Sequence, residues 1–305
     1  MIQVKTKILL SSAPDELAKE LAKYGRTATV EAEYGDRLVS GSVETLAHHG
    51  SRSHYPAPCL YLGSPVEELE AVGLSHVDLD TLGGVAGLIG WPYGAECSFK
   101  NTEHPGFWRA AAFVDVFGSH KAEECLDWEE QKHRLQAFWA WSQENRVFAP
   151  RDGSVTDVTE KVLIAINTIQ AILQEDPDLL EAGRVWAETQ VKTEQRCFIS
   201  DEGSIRVFAG DAFCNTFYRR PDGKVAEAII CFNTVAGSIT LSFEDGGKLL
   251  NACKIVQSLW GSEAGGHAGI AGSPRDQRMT FKDLQEIFRS VETNLILAHF
   301  PGFDN

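Results

Sequence analysis

The chain has 305 residues, of which 43% are apolar and 23% charged, and it carries a formal net charge of −15. That composition excludes a disordered chain, and the length exceeds one average domain, so two lobes of about 100–200 residues each are expected. No apolar run approaches the roughly 20 residues that span a bilayer. The N-terminal MIQVKTKILLSSAPDE lacks a signal-peptide core and cleavage pattern, so a soluble, cytoplasmic protein with no membrane partner is expected.

In chain order, residues 13–24 read as a helix, with Leu17, Leu21 and Tyr24 at helical spacing. ATVEAEYG (28–35) alternates like a strand, and LYLG and LSHVDLD contain short apolar strands. Gly83, Gly84 and Gly87 fall in the turn and small-residue helix that follow. FWRAAAFVD (107–115) is an apolar run read as a strand ending in Asp115, and 123–145 is a long helix burying Leu126, Leu135, Phe138 and Trp139. Trp108, Trp128, Trp139 and Trp141 read as core residues rather than a stacking platform.

FAPRDGS (148–154) has the composition of a linker. Beyond it, Asp157 and Glu160 suggest a capping box opening a helix through Leu173, with a second helix from Asp178 to about Val191. Strands follow at RCFIS, SIRVFA, FCNTFYRR, AEAIICFN and SITLSF, then helices over roughly 247–260 and 280–297 with a glycine-rich loop between them. The expected fold is α/β in two lobes: a parallel-type sheet with helices over 1–147, a linker at 148–156, and a smaller mixed sheet with helices over 157–305.

Charge is spread evenly, at −8 for residues 1–150 and −7 for the remainder. No basic stripe is left to neutralise phosphates, so long duplex nucleic acid is excluded as a partner. A small anionic substrate is compatible with a locally positive or metal-loaded site. The seven cysteines are odd in number and never spaced as CxxC, which reads as free thiols rather than a zinc ribbon or disulfide framework. Seven of nine histidines lie before residue 135; imidazole and carboxylate together suit divalent ions.

Two motifs carry the chemistry. In LSHVDLDTLGG (74–84), His76, Asp78 and Asp80 alternate and would emerge on one side of a strand end, where α/β folds place their sites. The competing reading is that the acids cap the next helix. In LWGSEAGGHAGIAGSP (259–274), Gly265 and Gly266 let backbone approach an anion, His267 supplies a directed donor, and Arg275 and Arg278 follow closely.

The HVDLD segment resembles the first metal motif of the DHH phosphoesterase superfamily, and GGHAGIAG resembles the GGH signature of the C-terminal domain associated with it. The resemblance covers about 74–120 and 205–275. It implies a two-lobed hydrolase with Mn²⁺ in the first lobe and the substrate phosphate gripped by the second. The chain departs from that pattern: it has no Asp-His-His tripeptide, and the nearest counterpart is FVDVFGSH, with Asp115 and His120. About 75 residues also precede the HxDxD segment; they hold Glu31, Glu33, Glu44, His48, His49 and His54. Glu44 and His48 would share a face if that stretch is helical.

The resulting expectation is a metal-dependent phosphoesterase acting on a nucleotide, short oligonucleotide or cyclic dinucleotide. Its metal ligands would be drawn from His76, Asp78, Asp80, Asp115, His120, His48 and His49, binding Mn²⁺ or else Mg²⁺, Fe²⁺ or Zn²⁺. Asp80, Asp115 and His267 would be catalytic, and Gly265, Gly266, His267, Arg275 and Arg278 would hold the substrate. A non-catalytic binding module, or a metal hydrolase of a non-phosphate bond, remains the alternative, and self-association is left open.

Overall fold

The computed structural model describes residues 5–32, 41–48, 52, 54–61, 64–90, 105–150, 152–274 and 277–299. It divides into two compact units, Met1–Ala187 and Glu188–Asn305. The mixed α/β architecture with two mixed sheets agrees with the sequence reading.

In the first unit, strands β1 (Lys7–Leu10), β2 (Thr27–Val30), β3 (Glu44–Leu46), β4 (Ala71–Leu74) and β5 (Thr156–Asp157) form one sheet in the order β3-β2-β4-β1-β5. The first four run parallel, and β5 pairs antiparallel with β1. TATV and AVGL are buried at every position, as expected of a parallel sheet covered on both faces. Alternate residues go to opposite sides. Leu9 and Ala71 pack with Leu17 and Leu21 of helix α1 (Pro14–Leu21). Ile8, Leu10, Val72 and Leu74 join the larger core under α2 (Leu79–Ile89), α3 (Pro105–Phe117), α4 (Trp128–Glu144) and α5 (Thr159–Leu173).

Several elements differ from the sequence reading. FWRAAAFVD is part of α3, because a run of alanines between large apolar residues packs as readily in a helix. Pro58–Leu60 is a 3-10 turn, so the described part of LYLG is not a strand. Glu44 opens β3, which removes the helical face it would have shared with His48. Asp157 lies one residue before the N-cap of α5, and its carboxylate accepts from the Thr159 N–H (3.0 Å) instead of building a capping box.

The expected linker does not separate two cores either. It leads into β5, which pairs with Leu9 and Leu10, and α5 then buries Val162, Ile166 and Ile169 in the first core. The division falls instead within α6 (Pro177–Cys197).

The second unit contains β6 (Phe198–Glu202), β7 (Ile205–Gly210), β8 (Ala228–Asn233), β9 (Ser238–Phe243), β10 (Gly265–Gly266) and β11 (Ile270–Gly272), in sheet order β10-β11-β9-β8-β7-β6. Only β7 and β8 pair in parallel. Ile230 and Phe232 face α7 (Ala252–Trp260) and α8 (Phe281–His299), while Ile229 and Cys231 pack with Cys197, Phe208, Cys214 and Tyr218. FCNTFYRR forms no strand; only Arg219 makes an isolated bridge, to Val225. Among the described residues, no helix is long and apolar enough to cross a membrane.

Candidate metal centre

The carboxyl ends of β2, β3 and β4 lie at one edge of the parallel sheet, and each delivers a polar residue there. Glu31 follows β2 directly, His48 lies two residues past β3, and β4 leads into Ser75–Asp80. This is the edge at which open α/β sheets collect their ligands.

Glu31 is 1% exposed and has φ 51°, a left-handed conformation that a residue bearing a Cβ adopts only under constraint. Its N–H donates to the Leu46 carbonyl (2.8 Å), its own carbonyl accepts from the Ser75 hydroxyl, and its carboxylate Oε1 accepts from the His48 N–H (3.2 Å). Strands β2, β3 and β4 thus all hold this one residue in place.

Asp80 is also buried. It sits in the first turn of α2, where the helix dipole favours an anion. Its Oδ1 accepts from the Cys59 N–H (2.8 Å), and its Oδ2 accepts no hydrogen bond and faces His48 Nε2 at 3.5 Å. His48 Nε2 lies 3.8 Å from Glu31 Oε1 and 3.0 Å from Asp115 Oδ2, the latter projecting from α3. Ligand atoms of Glu31, His48 and Asp80 all fall within 4.8 Å of one another. Burial disfavours a charge on His48, but Asp115, Asp80 and Glu31 together outweigh it and push its pKa up to about 10.

Two buried carboxylates, Glu31 and Asp80, and the more exposed Asp115 therefore surround one imidazolium, leaving net negative charge at a largely buried place. Such a charge is costly unless a cation compensates it, and an oxygen-rich set with one imidazole suits a divalent ion such as Mn²⁺ or Mg²⁺. The residues present fit that group.

His76 and Asp78 do something different. β4 ends at Leu74, so strand alternation does not carry them; Asp78 is the N-cap of α2 and its Oδ1 accepts from the Thr81 N–H (2.8 Å). His76 Nδ1 lies 2.8 Å from Ser75 Oγ, and its Nε2 lies 3.1 Å from Asp78 Oδ2. Because the Ser75 hydrogen is spent on Glu31, both ring nitrogens donate, which is the protonated imidazole. Burial opposes that charge, but the Asp78 hydrogen bond and charge prevail and raise the His76 pKa. Asp78 is held below the ordinary carboxylate value: burial works against it, and the bonds from His76 and Thr81 win.

A cavity of about 470 Å³ opens on this edge, with His76, Asp78, Asp80 and Asp115 among its lining residues. A second, of about 540 Å³, reaches His48 and Asp115 and is lined by Tyr55, Arg109 and Phe113 among others. His120 lines neither; it lies in a 3-10 turn, Ser119–Glu124, with its ring against Gly118. His49 and Arg275 lie outside the described residues.

In the second unit, Gly265 and Gly266 form β10, and the His267 N–H donates to the Ile270 carbonyl (2.7 Å), closing a tight hairpin. His267 itself is exposed. The hairpin is packed by necessity of its glycines. A Cβ on Gly247 would meet Ala268 backbone at 2.3 Å, and one on Gly266 would meet the Ile270 carbonyl at 2.5 Å. The Ala268 and Gly269 carbonyls accept from Ala252 and Phe243. Arg278 donates to the Thr234 and Val235 carbonyls, and its stem lies over Gly237. These contacts give the loop glycines and Arg278 structural duties within the unit.

Glu31 is the residue to which sequence reasoning gave no role. Its only signal was its place among the acids and histidines preceding the HxDxD segment.

Comparisons with known proteins return little. No family model matches the chain. No curated protein matches it either. Among solved structures, the chain is similar to an uncharacterized protein from Helicobacter pylori G27, with 13% identity over 81% of this chain and 74% of that one and a TM-score of 0.23.

Proposed function

We propose that the protein is a metal-dependent hydrolase, a phosphoesterase acting on a small phosphorylated substrate. The observation that carries the reading is the buried Glu31–His48–Asp80 group at the strand ends, with Asp115 beside it and a cavity open to the same edge. Glu31, Asp80 and Asp115, with His48 once its ring proton has been released to solvent, would hold the cation. When bound, a divalent ion supplies charge to polarise a phosphoryl oxygen and to activate water.

The remaining roles belong to the chain itself. His76, fixed between Ser75 and Asp78, presents a positive charge in the cavity wall and stabilises negative charge that builds on the phosphoryl oxygens. Asp78 acts through it, holding the imidazole protonated and in one orientation. The Cys59 N–H fixes one oxygen of Asp80, leaving the other for the cation.

The test combines metal analysis with turnover. Purified protein should bind Mn²⁺ near stoichiometry and hydrolyse phosphomonoesters or diesters in a Mn²⁺-dependent way. Asp80→Asn should lower metal affinity by at least about a hundredfold. A protein that binds no divalent ion, or one that cleaves carboxyesters and leaves phosphoesters untouched, would overturn the reading.

A further inference from the structure

Half of the wall of the 470 Å³ cavity takes no part in that chemistry. Besides the acidic residues, α4 and the segment after it contribute Phe138, Trp139, Trp141 and Phe148 to the lining, together with Arg146. Phe138 is buried, the two tryptophans are half-buried, and Phe148 is 74% exposed. The Phe138 and Trp141 rings stand 6.0 Å apart and tilted by 37°, a spacing at which aromatic rings attract one another. Exposing aromatic surface in a cavity wall is unfavourable unless an apolar group covers it. Arg146 is exposed and forms no ion pair among the described residues. The cavity is of a size that encloses one small molecule.

We propose that this wall is a subsite for a single planar aromatic group, so that the substrate is a phosphate monoester of an aromatic body. The rings of Trp141 and Phe148 stack on that body, and Arg146 pairs with the anionic charge of the ester. The assignment rests on the phosphoesterase reading for the phosphate end, whereas the aromatic subsite stands on the wall alone. It also gives Trp139 and Trp141, which pattern with the core, a face toward a ligand: both pack partly on the first core and partly line the cavity.

Binding of non-hydrolysable phosphonates to the whole protein tests this without requiring turnover. Calorimetric titrations would compare 1-naphthylmethylphosphonate, octylphosphonate and methylphosphonate in the presence of Mn²⁺. The aromatic ligand should bind at least about tenfold more tightly than the other two, in keeping with the usual worth of one stacked ring. Phe148→Ala, at an exposed position that spares the core, and Trp141→Leu should each remove most of that preference and leave methylphosphonate affinity unchanged. Arg146→Gln should weaken all three ligands by a similar factor.

Equal binding of the aromatic and methyl ligands would overturn the proposal, and so would no binding of either. An octyl ligand as tight as the naphthyl one, or a preference that survives both ring variants, would do the same. If the aromatic preference holds while no phosphoester is hydrolysed, the subsite stands and the catalytic reading falls. If hydrolysis is found without the preference, the reverse is true.

Discussion

Arg206 is 2% exposed and sits on β7 with its charge fully engaged. Its guanidinium donates to Asp201 and Glu194, both at 2.9 Å, and to the Phe217 and Arg219 carbonyls, and it lies over the Phe198 and Phe208 rings. Truncation would leave Glu194 without this counter-charge and Asp201 with only the longer contact to Arg220 (3.6 Å). Arg206→Ala should therefore cost about 3–5 kcal/mol in urea denaturation, and a loss below about 1 kcal/mol would mean that the pair is solvated. Asp127 makes a pH-dependent case. The bidentate bond from Arg109 (2.8 and 2.6 Å) holds its carboxyl below the ordinary value. Its contribution is present above the unfolded pKa of about 4 and is lost as the pH falls through the lower folded value. The stabilities of the wild type and Asp127→Asn should converge below about pH 4; a gap that stays constant down to about pH 2 would show the ion pair to be idle. Neither residue is conspicuous in the sequence, where Arg206 reads as one polar position in an apolar strand. Glu31 is illegible for the same reason: its role comes from a left-handed φ and from three strands that meet only in the folded chain.

At the scale of elements, most helices were legible, but α3 was read as a strand, and Leu126, read as buried in the long helix, lies before α4 and is exposed. Helices α1, α5, α6 and α8 announce themselves by apolar spacing, whereas β2, found by the strand reading of 28–35, ends at Val30 and, like β4, is buried at every position. The apparent alternation in LSHVDLD belongs to the turn and first helical residues beyond β4, which is why Asp78 emerges as a helix cap while Asp80 reaches the acidic group. Helix α2 also shows what its glycines are for. A Cβ on Gly83 would stand 2.6 Å from Cys59 Cβ and 2.8 Å from the Trp108 ring, so the absence of a side chain is what seats the helix against the 3-10 turn and α3. Gly83→Ala gains about 1 kcal/mol in helix propensity but should be destabilising by about 1–3 kcal/mol from overpacking. Because Cys59 N–H holds Asp80, the same variant should also weaken metal binding. A Gly83→Ala protein more stable than wild type in urea would refute the packing argument.

At the scale of the whole molecule, the two compact units make a prediction that separates them. All four proposed cation ligands, Glu31, His48, Asp80 and Asp115, belong to the first unit, as do both cavities. A ligand that binds only the folded form stabilises it in proportion to the logarithm of its concentration over Kd, by about 4 kcal/mol at a thousandfold excess. For the first unit that arithmetic is the whole gain, because the relief of repulsion among the carboxylates gathered round His48 is already contained in Kd. The second unit, whose core under α7 and α8 has no such cluster among the described residues, should gain nothing. Calorimetric scans with increasing Mn²⁺ should accordingly move one unfolding transition upward and leave the other in place, and Asp80→Asn should abolish the shift. If both transitions rise together, the units unfold as one body or the cation binds elsewhere; if neither rises, the acidic group holds no cation.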